Sequence, residues 1–287
     1  RYPWEPRPRN NWRPSEVSLS EVWQPYIQGA SGKAWIEPLR SVIRWRHFGL
    51  EIQNLERNGK QASRPQNLEL CFKKGVAFAA IGHEFSARVH RFPSVFSDVG
   101  ASVFPADTEA VCALMNSKKA RQLLSSLNPT IHFTIGDVNR LPKSNISESH
   151  TIFGALYEAF DVHESHREPS VEFVMPGASC WRYNQAWAQL AVDRPDGAPL
   201  PPYQPEVDSE PSTDHLSYAI GISLGRFGAN NEGILDPSEV DHSRTLPSGI
   251  LFLDGSLESK DYRDSLGHVA AKPIHAAWAE HGRAIDK

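Results

Sequence analysis

Seven basic side chains in the first half of the sequence have types and spacings suited to holding a polyanion: Lys73, Lys74, Arg88, Arg91, Lys118, Lys119 and Arg140. Lys73 and Lys74 precede an apolar run, Arg88 and Arg91 flank His90 between Phe85 and Phe92, Lys118 and Lys119 share a helical stretch with Arg121, and Arg140 precedes Leu141-Pro142. Contacts from such groups to phosphates would position a DNA duplex, while one or two Arg or polar side chains reaching base edges would specify sequence. The aromatic setting of Arg88 and Arg91 favours a binding loop. For the Lys118-Lys119 group, a solvated helix face accounts for the same residues equally well.

Catalytic patterns fail on inspection. Base methylation at an adenine amino group needs an Asn/Asp-Pro-Pro-Tyr loop, in which polar groups bind the amine and an aromatic ring stacks on the flipped base. The nearest string, Leu200-Pro201-Pro202-Tyr203, begins with Leu, which accepts no hydrogen bond. Gly29-Ala30-Ser31-Gly32-Lys33 has two residues between its glycines where a phosphate loop has four, and Ala34 follows the Lys. His163 and His166 are three apart rather than the four of a zinc helix, and read as exposed histidines. Serines and histidines are plentiful, but no Gly-x-Ser-x-Gly elbow is present. No catalytic, cofactor-binding or metal-binding residue is assigned in this chain.

The elements that would position the basic residues are mixed. Trp35, Leu39, Val42 and Ile43 suit one face of a helix running to Gly49, with Pro38 in its first turn. Val76-Ala77-Phe78 and the run from Val99 to Phe104, broken by glycines and Pro93, predict a curved sheet. Asp107 or Thr108 can cap a helix containing Val111, Leu114 and Met115, and Ser117 can cap a second containing Leu123, Leu124 and Leu127. Asn128-Pro129 ends the second, and Ile131, Phe133 and Ile135 alternate as in a strand. Helices are also expected over 151–162, from Asp214 through Phe227, and over 273–281, with a strand over 250–253. The fold class is α+β: a helix and curved-sheet domain over 68–192, preceded by a Pro/Trp-rich arm and helix over 1–67. A Pro-rich acidic linker over 193–211 then leads to a smaller, mostly helical segment over 212–287.

Composition narrows the function classes. The net charge of −4 over 287 residues argues against indiscriminate nucleic-acid binding. It conceals a split, since residues 1–150 hold 20 Lys and Arg against 13 Asp and Glu, +7, and residues 151–287 hold 10 against 21, −11. Such asymmetry fits a polyanion-facing half joined to an acidic half. Cys71, Cys112 and Cys180 have neither metal-ligand nor disulfide spacing. Apolar stretches fall short of the roughly 20 residues of a membrane helix, and no secretory signal is visible, so a cytoplasmic protein with no membrane partner is expected. The start at Arg1 without Met reads as a piece of a longer protein.

Five strings carry a resemblance: Lys74-Gly75-Val76-Ala77-Phe78, Phe85-Ser86-Ala87-Arg88, Val103-Phe104-Pro105, Leu114-Met115-Asn116-Ser117, and Gly136-Asp137-Val138 through Leu141-Pro142. In this order they resemble the target-recognition region of large bacterial adenine-specific DNA methyltransferases, of the type IIG-like and BREX-associated kind. Ser217-Tyr218-Ala219 through Gly228, Gly233 through Pro237, and Gly249 through Gly255 resemble a further segment of the same proteins. The resemblance implies double-stranded DNA as a partner, a catalytic domain elsewhere that uses S-adenosylmethionine, and a place in phage defence or restriction-modification. Other defence proteins or a DNA-mimicking inhibitor are further implied partners. The alternative is a protein-interaction module of a defence complex that does not itself read DNA.

Overall fold

The computed structural model describes residues 22–29, 33–63, 65–98, 100–142, 146–168, 170–204 and 206–223. Leu224 through Gly228, the strand expected over 250–253 and the helix expected over 273–281 lie outside them. The described residues form an α+β fold in two compact units, one built from 22–161 with 180–206 and the other from 162–179 with 207–223.

The first unit carries short strands rather than the helix expected over 35–50. β1 (Trp23–Ile27) pairs antiparallel with β3 (Val42–Arg44) and parallel with β8 (Val95–Phe96). β2 (Trp35–Ile36), β7 (Ala87–Val89), β6 (Val76–Phe78) and β9 (Ser102–Val103) form a second sheet in that order, with β2 parallel to β7 and the other pairs antiparallel. The apolar spacing at Trp35, Leu39 and Val42 that suits a helix instead fills buried strand and loop positions on either side of Pro38. A 3-10 turn, Arg46–Gly49, then leads into α1 (Leu50–Gln53) and a hairpin of β4 (Glu56–Arg57) and β5 (Lys60–Gln61).

Helices cover the four-stranded sheet. Asp107 caps α2 (Thr108–Asn116) by accepting from the Ala110 N–H, and Ser117 caps α3 (Lys118–Leu127) through the Ala120 N–H, as local sequence requires. The chain after Asn128 makes only an isolated bridge between His132 and Ile81. Phe133 is buried edge-on against Phe85 at 5.0 Å, but Ile131 and Ile135 are half exposed, so the expected alternating strand does not form. Its place is taken by a capping box in which Thr134 and Asp137 open the short helix α4 (Ile135–Val138). Hydrogen bonds from Thr134 and Asn128 hold the Asp137 carboxyl below the usual carboxylate range.

The α5 helix (Ser149–His166) is longer than expected, and α6 (Trp181–Val192) completes the core of Phe78, Met115, Leu124, Ile152, Leu156 and Ala188. The Pro-rich stretch after α6 is fastened to the same unit. The Trp187 indole donates to Pro201 O at 2.9 Å, and Arg194 donates to Ala198 O and to Ser147 and Glu148.

In the second unit, Glu164 is buried and accepts from both Arg167 and the Ser170 hydroxyl. His163 and His166 are half-buried rather than exposed: His163 shares a hydrogen bond with Ser179 Oγ, and His166 donates to Ala178 O. α7 (Ser212–Ser223) starts before Asp214 and buries His215, Tyr218 and Ala219, with Tyr218 edge-on to Phe173. Among the described residues no helix is long and apolar enough to cross a membrane, and no group of His, Cys, Asp and Glu could hold a metal ion.

Candidate nucleic-acid interface

The structure separates the seven basic residues into two that are buried and five that face solvent. Arg88, on the inner strand β7, is fully buried. Its Nε pairs with the buried carboxylate of Glu37 and its Nη2 donates to Gln28 O at 2.8 Å. Arg91 is also turned inward, with 7% of its side chain exposed, paired with Asp161 at 2.6 Å and stacked over the Phe92 and Phe160 rings. Both were expected on a DNA-facing loop, and Arg88 is withdrawn from that role. A buried guanidinium committed to a carboxylate has no free face to offer a phosphate.

Lys73, Lys74, Lys118, Lys119 and Arg140 remain exposed, in two groups. Lys118 and Lys119 open α3 on the rim of a cavity of about 460 Å³, whose floor includes Leu114, Leu141 and Val192. Arg140 adjoins it through Leu141 and Pro142. Asp193 accepts from the Lys118 N–H and Asp196 lies 3.8 Å from the Lys119 ammonium, so carboxylates from the acidic half partly neutralise this rim.

The second group surrounds a feature that residue types alone did not single out. Lys73 and Lys74 follow Phe72, whose ring packs edge-on to the buried Trp45 at 6.1 Å. Trp45 in turn supports the Arg46–Gly49 turn, from which Phe48 projects with 84% of its surface exposed. Arg44 ends β3 just before this turn, Arg46 opens the turn, and Arg57 and Lys60 lie on the hairpin that follows. The sequence signal was the string Arg44-Trp45-Arg46-His47-Phe48-Gly49, hidden by its assignment to a helix.

The strings that carried the family resemblance interlock. Asn116 Oδ1 accepts from the Ala87 N–H at 2.9 Å and its Nδ2 donates to Ala87 O at 2.8 Å, so the end of α2 clasps β7 through both backbone groups of one residue. A Cβ on Gly75 would lie 2.9 Å from both the Phe104 ring and Val103 O, so this glycine permits the close approach of the string at 103–105. These residues build the platform and leave the exposed cations as its accessible chemistry.

His90 lies between the two. The Ser102 hydroxyl donates to Gly100 O and accepts from His90 Nε2–H, at 3.0 Å each. Burial pushes the imidazole down from 6.5 to about 4; the Lys73 carbonyl opposes this and Arg88 reinforces it. A depressed pKa leaves His90 neutral in the folded state while the unfolded chain takes up a proton below pH 6.5. Stability is then full above pH 6.5 and falls as pH drops from 6.5 to 4, by about 3 kcal/mol at most. The urea midpoint of native protein should decline across that window, and His90→Gln should flatten the decline. An unchanged slope in the variant would assign the acid sensitivity elsewhere.

No family model matches the chain. Two curated proteins are similar to part of it. Adenine-specific methyltransferase PglX of Lacticaseibacillus casei (strain Zhang) is 32% identical over 133 residues, 44% of this chain and 11% of the relative. Adenine-specific methyltransferase BrxX of Escherichia coli O9:H4 (strain HS) is 25% identical over 126 residues, 42% of this chain and 10% of the relative. The chain is thus related, over about two fifths of its length, to adenine-specific methyltransferases of which it spans about a tenth.

Proposed function

We propose that this chain is the DNA target-recognition portion of an adenine-specific DNA methyltransferase of a phage-defence or restriction-modification system, with the catalytic domain outside the sequence. The observation that carries this reading is the similarity to two adenine-specific methyltransferases over 133 and 126 residues. It is supported by a rigid platform from which Lys73, Lys74, Lys118, Lys119 and Arg140 face solvent. In this role the lysines and Arg140 hold phosphates and orient the duplex, and the target adenine is presented to the catalytic domain.

S-adenosylmethionine belongs to that other domain. Cofactors of this class are cradled by a Gly-rich strand-to-helix turn, and the connection from β9 to α2, Phe104-Pro105-Ala106-Asp107, contains no glycine. A protein-interaction module is favoured by one observation, the placing of Asp193 and Asp196 against the Lys118-Lys119 rim.

Salt dependence tests the reading. Each phosphate neutralised contributes about −0.9 to the slope of log K against log salt, so Lys73, Lys74, Lys118, Lys119 and Arg140 together contribute up to about −4.5. Replacing Lys73 and Lys74 together with Ala should weaken binding across sequences and make the slope shallower by about 2. An unchanged slope removes them from the interface, and duplex binding that ignores salt overturns the phosphate-contact account.

A further inference from the structure

The Arg46–Gly49 turn is built to hold an aromatic ring in solvent. His47 (φ 50°), Phe48 (φ 56°) and Gly49 (φ 82°) occupy the left-handed region in succession. Only glycine enters this region freely, so two successive non-glycine residues there mark a conformation imposed by the surroundings, and such strain gathers at functional sites. The imposing surface is Trp45: a Cβ on Gly49 would lie 2.8 Å from its ring, leaving no room for another residue. Trp45 is itself 7% exposed and braced against Phe72. A stiff base thus carries a tip on which Phe48 is 84% exposed, the most exposed large apolar residue described, with Leu50 52% exposed beside it.

The surroundings of this tip are cationic. Arg44 and Arg46 reach the same single carboxylate, Glu51, at 3.1 and 3.7 Å, leaving an excess positive charge. Arg57 and Lys60 flank the exposed Asn58-Gly59 turn of the hairpin, which is tied to α1 by the bond from Gln61 Nε2 to Gln53 O at 3.0 Å. Lys73 and Lys74 adjoin from the side of Phe72. Between Arg44 and Gln61 there are four Lys or Arg against two Glu. A planar apolar ring on a rigid projection, on a segment with an excess of cations over carboxylates, matches one surface in charge and shape: a nucleic-acid duplex, with stacked flat bases inside and phosphates outside. Proteins that bend DNA insert apolar wedges between base steps in this way.

We propose that the Arg46–Leu50 turn is a DNA wedge: Phe48 inserts between adjacent base pairs of the bound duplex, while Arg44, Arg46, Arg57 and Lys60 hold the phosphates on either side. This inference rests on the reading of the chain as a DNA-binding module and adds the residue that opens the duplex. Unstacking one step loosens the neighbouring pairs, which eases extrusion of a base by a domain acting on it.

The test uses the full 287-residue chain with duplexes that carry 2-aminopurine at successive positions, whose fluorescence rises on unstacking, alongside anisotropy for affinity. Native protein should brighten the probe at one step. Phe48→Ala should abolish that brightening while the phosphate contacts keep Kd within about tenfold of native, and Phe48→Trp should retain it. Because Phe48 packs into no core, both variants keep the native fold, checked by their urea midpoints. Binding by Phe48→Ala with undiminished brightening overturns the wedge and leaves the DNA-recognition reading standing. Absence of duplex binding by native protein, against steady binding to other surfaces, overturns both.

Discussion

Replacing Glu37 with Ala is expected to lower the free energy of unfolding by about 3–5 kcal/mol, read as a shift in the urea midpoint at pH 7. Arg88 is fully buried, and among the described residues its carboxylate partner is Glu37, itself 7% exposed. Removing that partner leaves a guanidinium in the interior with the Gln28 carbonyl as acceptor, and an uncompensated buried charge is among the largest single penalties a domain can carry. Burial pushes the Glu37 carboxyl up, to about 7, against the opposing pull of Arg88, so the pair is held together at the expense of two desolvations. Exchange of both residues for apolar ones, Glu37→Leu with Arg88→Met, should therefore recover most of the loss. The double variant also separates structure from binding: if it folds, it should hold duplex DNA as tightly as native protein. A Glu37→Ala protein within about 1 kcal/mol of native would contradict the account of the pair.

Asn116→Ala should cost about 2–4 kcal/mol by the same measurement. Its side chain is fully buried and satisfies both the N–H and the carbonyl of Ala87, acting as a strand partner supplied from a helix end. Truncation leaves a buried donor and a buried acceptor unpaired, at about 1–2 kcal/mol each. Asn116→Asp, which keeps the acceptor but sets a carboxylate against Ala87 O, should be no better tolerated. A loss below about 0.5 kcal/mol would show that water or a shifted backbone replaces the clasp.

These two residues also show how much of the molecule was legible in its sequence. The caps at Asp107 and Ser117 and the strand at Val76–Phe78 were readable because their causes lie within a few residues. The apolar spacing from Trp35 to Leu50 fits a helix, whereas its strands are decided by β2 pairing with β7, about 50 residues away, and β3 with β1, about 20 residues away. Arg88 looked like a surface cation because its type and aromatic neighbours are local facts, while Glu37 is 51 residues distant. Phe48 escaped because a left-handed turn of non-glycine residues leaves no trace in residue type; it follows from the packing of Gly49 on Trp45. Lys73, Lys74, Lys118, Lys119 and Arg140 lie at the surface as their type leads one to expect, since exposure is the ordinary state of such side chains.

The strings that resemble adenine-specific methyltransferases turn out to hold the platform together. Asn116 clasps Ala87, Gly75 admits Phe104, and Asp137 closes a capping box with Thr134.

The claim that the chain reads DNA is tested most directly by binding-site selection: native protein is mixed with random-sequence duplexes at near-physiological salt, and bound molecules are recovered and sequenced over several rounds. The account predicts enrichment of one short asymmetric site, bound at least about a thousandfold more tightly than the starting pool. Recovered sequences that match the input, with no site enriched, would contradict target recognition by this chain.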